Sequence, residues 1–129
     1  MPRITALYAA PLALLFIVLA FRVIGQRYRT RTALGTGNDA LLERAARVHA
    51  NFAEYTPIAL MLILLAELLG AAGWWLHLSG AGLLVGRALH AYGVSQSPEY
   101  LRLRMVGMVL TFSVIIAGAI ALPVLVLTR

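Results

Sequence analysis

The chain has 129 residues, 61% of them hydrophobic and 12% charged, with a mean hydropathy of +0.85. A soluble domain is apolar over roughly 45–50% of its residues, so water is excluded as the main solvent of this one. The net charge of +6 rests on eleven arginines and no lysine, spread among long apolar runs, which argues against nucleic acid as a partner; the absence of cysteine rules out disulfides, Cys-ligated metals and a thiol nucleophile of the chain's own.

The first apolar stretch, about residues 4–25, matches the roughly 20 residues needed to cross about 30 Å of hydrocarbon, and Arg22, Arg27, Arg29 and Arg31 mark its end. No small-x-small cleavage site follows Arg3 and the apolar run, so this segment is expected to stay in the mature protein rather than act as a signal peptide. The loop after it, Thr32 to Asp39, carries turn chemistry in Gly35, Gly37 and Asn38, and Asp39 is the expected helix N-cap.

A second span over about 42–69 has a charged first half, Glu43 to Glu54, and an apolar second half, Ile58 to Ala66, so its first turns are expected to project past the lipid. Gly70 to Gly73 makes a turn, and Trp74 and Trp75 mark an interface, where indole rings prefer to sit. A third span over about 74–94 follows. The polar link from Ser95 to Glu99 leads to a fourth span over about 102–127, uncharged from Met105 to Leu127. The expected fold is an all-α membrane protein, a bundle of four transmembrane helices. Arg27, Arg29, Arg31, Arg102 and Arg104 cluster in or beside loops 26–41 and 95–101, which places those loops in the cytoplasm and both termini outside.

At about 100° per residue, Glu43, Arg44, Arg47, Asn51 and Glu54 fall within an arc of roughly 100° on the second helix. Such a stripe must face protein or water. For Glu43 and Arg44 it is explained equally well by solvation of a helix end. Arg47, Asn51 and Glu54 lie deeper, where an ionisable group is costly and usually has a task. Arg87 and His90, three residues apart, share one face of the third helix; Arg87 needs an anion, for which Glu54 is the expected partner in a structural ion pair. His90 is either a hydrogen-bonded core histidine or a ligand contact. His49 and Glu67 fall off the stripe and read as packing or interface residues. His49, His77 and His90 have no ligand spacing, so no metal is expected. Arg102 and Arg104 fit positive-inside topology. With Arg29, Arg47 and Asn51 they also suit a ligand bearing several carboxylates.

The segment Glu43-Arg-Ala-Ala-Arg-Val-His-Ala-Asn-Phe-Ala-Glu-Tyr-Thr-Pro57 resembles the MAPEG family, membrane-associated proteins in eicosanoid and glutathione metabolism. The likeness extends to Gly25-Gln26 with its following arginines, the Gly35-Thr-Gly-Asn-Asp39 loop, Gly86-Arg-Ala-Leu-His90 and Arg104, and is strongest toward short bacterial members. It implies a homotrimer in the bacterial inner membrane, surrounded by membrane lipids, with glutathione as cosubstrate between neighbouring protomers on the cytoplasmic side. It further implies that Arg47, Asn51 and Glu54 hold glutathione with His90 beside it, that Arg29 contributes from the first helix, and that Arg87 pairs with Glu54. Arg104 matches the arginine that stabilises the glutathione thiolate. The expected activity is transfer of glutathione to a lipophilic small-molecule electrophile, or a peroxidase variant of it. Ala50 stands where family enzymes often have a second arginine, and Met105 and Met108 where they can show Ser and Tyr, which favours a rival reading as a non-enzymatic trimer binding a lipid or thiol metabolite. A transporter subunit is disfavoured by the absence of a discontinuous helix pair.

Overall fold

A computed structural model describes residues 1–128 and consists of four helices: α1 (Arg3–Thr30), α2 (Ala40–Leu68), α3 (Gly73–Ser95) and α4 (Leu101–Leu127). α1, α2 and α4 are long and apolar enough to cross a membrane. α3 falls short in apolarity but not in length, since its 23 residues rise about 35 Å. Its position explains the difference. α3, like α2, packs against all three other helices, whereas α1 and α4 touch α2 and α3 but not each other, so the polar residues of α3 can face protein while its Leu78, Val85 and Tyr92 stay exposed. Arg87, His90 and Ser79 are accordingly buried on it, while apolar side chains such as Leu14, Phe21, Val109 and Ile120 are exposed on the flanking helices.

α1 runs five residues past the end expected for the first span, through Arg27 and Arg29, cations that a helix C-terminus favours. It stops at Arg31, whose φ of 52° is left-handed. Nη1 of Arg27 then donates to the carbonyls of Thr32, Ala33 and Gly35 at 3.3, 3.2 and 2.9 Å, which folds the loop back on the helix end. Asp39 caps α2 as expected, its Oδ1 accepting from Leu42 N–H at 2.9 Å and from Arg29 Nη2 at 2.5 Å. The backbone donor and then the guanidinium hold this carboxyl below its ordinary value.

At the opposite end, Glu67 of α2 accepts from Ile4 N–H (2.8 Å), Thr5 N–H (2.7 Å) and the Thr5 hydroxyl (2.6 Å). Pro2 gives α1 no side-chain cap, so a carboxylate 63 residues away supplies one. His49 stacks on Phe16 with ring centroids 4.8 Å apart, a packing role. α3 and α4 approach through glycines. A Cβ on Gly107 would sit 2.5 Å from the Gly86 carbonyl oxygen, and one on Gly93 would sit 2.7 Å from Arg104 N. Only glycine tolerates such approach, the usual device for joining helices where lipid gives no hydrophobic drive. This contact brings the start of α4 against the end of α3.

Candidate functional site

The charged end of α2, the last turns of α3 and the first turn of α4 surround a cavity of about 270 Å³, lined by Glu43, Arg44, Arg47, Asn51, His90, Glu99 and Arg104 together with Ala40 and Val94. Arg47, Asn51, His90 and Arg104 thus come together, from three helices. Arg44 donates from Nη1 to the Val94 carbonyl at the end of α3, at 2.9 Å. Arg47 is exposed and has no hydrogen-bond or salt-bridge partner among the described residues. Arg104 Nη1 donates to both oxygens of Glu99, at 3.1 and 3.2 Å, and Glu99 Oε2 also lies 4.0 Å from Arg44. α4 itself begins without a side-chain cap and without an acid in its first turn, so its positive end adds to the guanidinium charge.

Beneath the cavity lies Arg87, 1% exposed. Its Nη2 donates to Asn51 Oδ1 at 2.5 Å and to His90 Nδ1 at 3.1 Å, and its Cζ sits 5.8 Å from the Phe52 ring centroid. A guanidinium only donates, so Nδ1 of His90 must accept. The ring proton is then on Nε2, and His90 enters the cavity wall as a neutral imidazole with one N–H to give. Arg87 therefore orients two cavity residues at once.

The expected Glu54–Arg87 pair does not form within the protomer. α3 sits on α2 so that Arg87 is level with Asn51, one turn before Glu54, and no carboxylate lies within salt-bridge distance of Arg87 among the described residues. Glu54 is exposed on the flank of the bundle and does not line the cavity. Arg29 is also absent from the cavity wall, because Asp39 and Gln26 engage it at the end of α1. Conversely, Glu99 was legible only as part of a polar link. Its signal was a lone acid just before Arg102 and Arg104. Among the described residues no three His, Asp or Glu side chains cluster as metal ligands.

Four long helices, with lipid-facing apolar flanks and a cation-lined cavity at one end, define a membrane-spanning helical bundle. The chain belongs to the MAPEG family, whose model matches residues 5–123. It is 43% identical over 90 residues to Inner membrane protein YecN of Escherichia coli K12, a stretch covering 70% of this chain and 69% of that protein, and matches the YecN of Escherichia coli O6:H1 to the same extent. No solved structure matches the chain.

Proposed function

We propose that the chain is the subunit of a homotrimeric, glutathione-dependent transferase of the bacterial inner membrane, joining the glutathione thiolate to lipophilic electrophiles that enter from the bilayer. The observation that carries this reading is the convergence of Arg44, Arg47, Arg104, Asn51 and His90 on one cavity, a donor set suited to a ligand with two carboxylates and a thiolate. In the reaction the thiolate sulfur attacks an electrophilic carbon, the new C–S bond forms as the leaving group departs with its electron pair, and the thiol proton goes to solvent. Arg104 stabilises the thiolate; Arg47, free of internal partners, takes a carboxylate.

Glu54 supports the trimer. It lies about 21 Å along α2, near mid-span, exposed and without a partner among the described residues, a placement costly against lipid and relieved by a neighbouring copy. The cavity volume sits just under the roughly 300–1,000 Å³ of small-molecule sites, as expected if a second protomer completes the wall and if Arg29 reaches the site of its neighbour. The relative's name supports the inner membrane. Protein purified in mild detergent should run as three chains by native mass spectrometry, bind glutathione in a calorimeter, and conjugate it to a chromogenic aryl halide. Absence of any heat with glutathione would remove this reading. Binding without turnover would instead favour the metabolite binder, to which Met105 and Met108 point by standing where family enzymes can show Ser and Tyr.

The arginine-rich loops face the cytoplasm and both termini lie outside, because the arginine bias of short loops sets orientation. In right-side-out membranes, a cysteine introduced at Thr128 should react with an impermeant maleimide and one at Thr36 should not. The reverse pattern overturns the orientation.

A further inference from the structure

Glu99 stands in the cavity as the only carboxylate in salt-bridge distance of its arginines among the described residues. It belongs to neither helix whose cation it meets: Arg44 is on α2, Arg104 on α4, and Glu99 is on the link between α3 and α4. That link is tied at its far end by Tyr100 N–H, which donates to the Gly93 carbonyl at 3.0 Å, and Glu99 precedes that tie. The side chain is about one-third exposed, so it can leave for solvent without opening the bundle.

The charge around it explains why an acid is needed. Three guanidinium groups and the uncapped positive end of α4 face one cavity, and like charges at such range repel unless an anion lies among them. Glu43 also lines the cavity but reaches no cation within salt-bridge distance, so Glu99 alone does this work. Both of its oxygens converge on a single nitrogen of Arg104, leaving Nη2 and Nε of that guanidinium free of it. An incoming anion can therefore approach Arg104 from its open edge while Glu99 is still bound, and then repel it.

We propose that Glu99 is the internal carboxylate exchanged for the anionic groups of the ligand, and so the residue that determines what ligand charge the cavity accepts; this rests on the reading of the cavity as a glutathione site. With Glu99 in place, its one negative charge is shared between Arg104 and, at 4.0 Å, Arg44, so an anionic group entering between these two arginines must compete with it. A ligand carrying both a carboxylate and a thiolate replaces Glu99 on two arginines at once. Glu99 thus withholds the full charge of Arg104 until an anion displaces it, and a ligand with two anionic groups displaces it from both arginines.

The test uses wild type and Glu99→Gln, an isosteric change at a partly exposed loop position, both in nanodiscs. Each is titrated with glutathione and separately with succinate, which has two carboxylates but no thiol or ammonium. Exposed ion pairs are each weak, so removing the competing carboxylate should tighten both ligands by about threefold to tenfold, and the thiolate absorbance of bound glutathione should appear at lower pH than in wild type. Equal or weaker glutathione binding in Glu99→Gln overturns the exchange and leaves the glutathione site standing, weaker glutathione with tighter succinate meaning that Glu99 holds the ligand's ammonium instead. If neither variant binds glutathione while succinate still binds more tightly to Glu99→Gln, the glutathione reading falls and the exchange stands. If neither ligand binds either variant, both fall.

Discussion

Replacing Arg104 with alanine should lower turnover of bound glutathione about a hundredfold while weakening its binding far less. A guanidinium beside sulfur favours the thiolate over the thiol, and the thiolate is the nucleophile. Without that cation the thiol returns toward its free value of about 8.5, and the ionised fraction at neutral pH falls with it. Removing one charge-stabilising donor costs on the order of 100-fold to 1,000-fold in rate where the site is closed to water, and Arg104, nearly half exposed in the single chain, belongs at the lower end of that range. Arg47→Ala should behave differently. A carboxylate held by Arg47 is the same in the ground state and the transition state, so its loss should raise KM and leave kcat nearly unchanged. The measurements are the thiolate absorbance against pH and the steady-state rates of the three proteins. An unchanged thiolate titration in Arg104→Ala would take this residue out of the chemistry.

The second large effect is an asymmetry at Arg87. Asn51→Ala should cost about 1.5–3 kcal/mol of stability, because it strips the buried guanidinium of its shortest hydrogen bond, made to Asn51 Oδ1 at 2.5 Å. Arg87→Met should cost little or even stabilise the bundle. The guanidinium is 1% exposed and has no carboxylate partner among the described residues, and exchanging a poorly compensated buried ion for an apolar side chain of similar length removes its desolvation penalty. The same Arg87→Met protein should nevertheless bind glutathione more weakly, since Asn51 and His90 both lose the donor that orients them. Stability is read from thermal unfolding midpoints in one detergent, and the double variant should be more stable than Asn51→Ala alone. If Arg87→Met proves as damaging as Asn51→Ala, the charge is net stabilising and its counter-ion comes from another protomer.

These two expected outcomes would separate a residue that acts on a ligand from one that acts through its neighbours, a distinction invisible in the amino-acid order. The motif around Glu43 to Pro57 singled out Arg47, Asn51 and Glu54 together, because helical periodicity places them on one stripe. Periodicity says which side of a helix a residue is on, but not how far along its neighbour it lies. Glu54 and Arg87 were matched by charge and by the family resemblance, and neither fixes their relative height in the bundle. The glycine contacts of Gly86 and Gly93 with α4 and the packing of α3 on α2 set a register in which Arg87 meets Asn51 instead.

The apolar runs, the arginine-flanked ends, the Asp39 cap and the cationic stripe on α2 follow from the order of residues alone, because hydrocarbon thickness, capping and helical pitch act over a few turns at most. What joins distant segments was decided only by the folded bundle. Glu67 caps a helix 63 residues away, α3 turns Arg87 and His90 into the bundle, and Glu99 reaches arginines on two helices, one of them 55 positions earlier in the chain. Each depends on which helix faces land against each other and at what height, a choice made by side-chain volume and close backbone approach across the whole bundle.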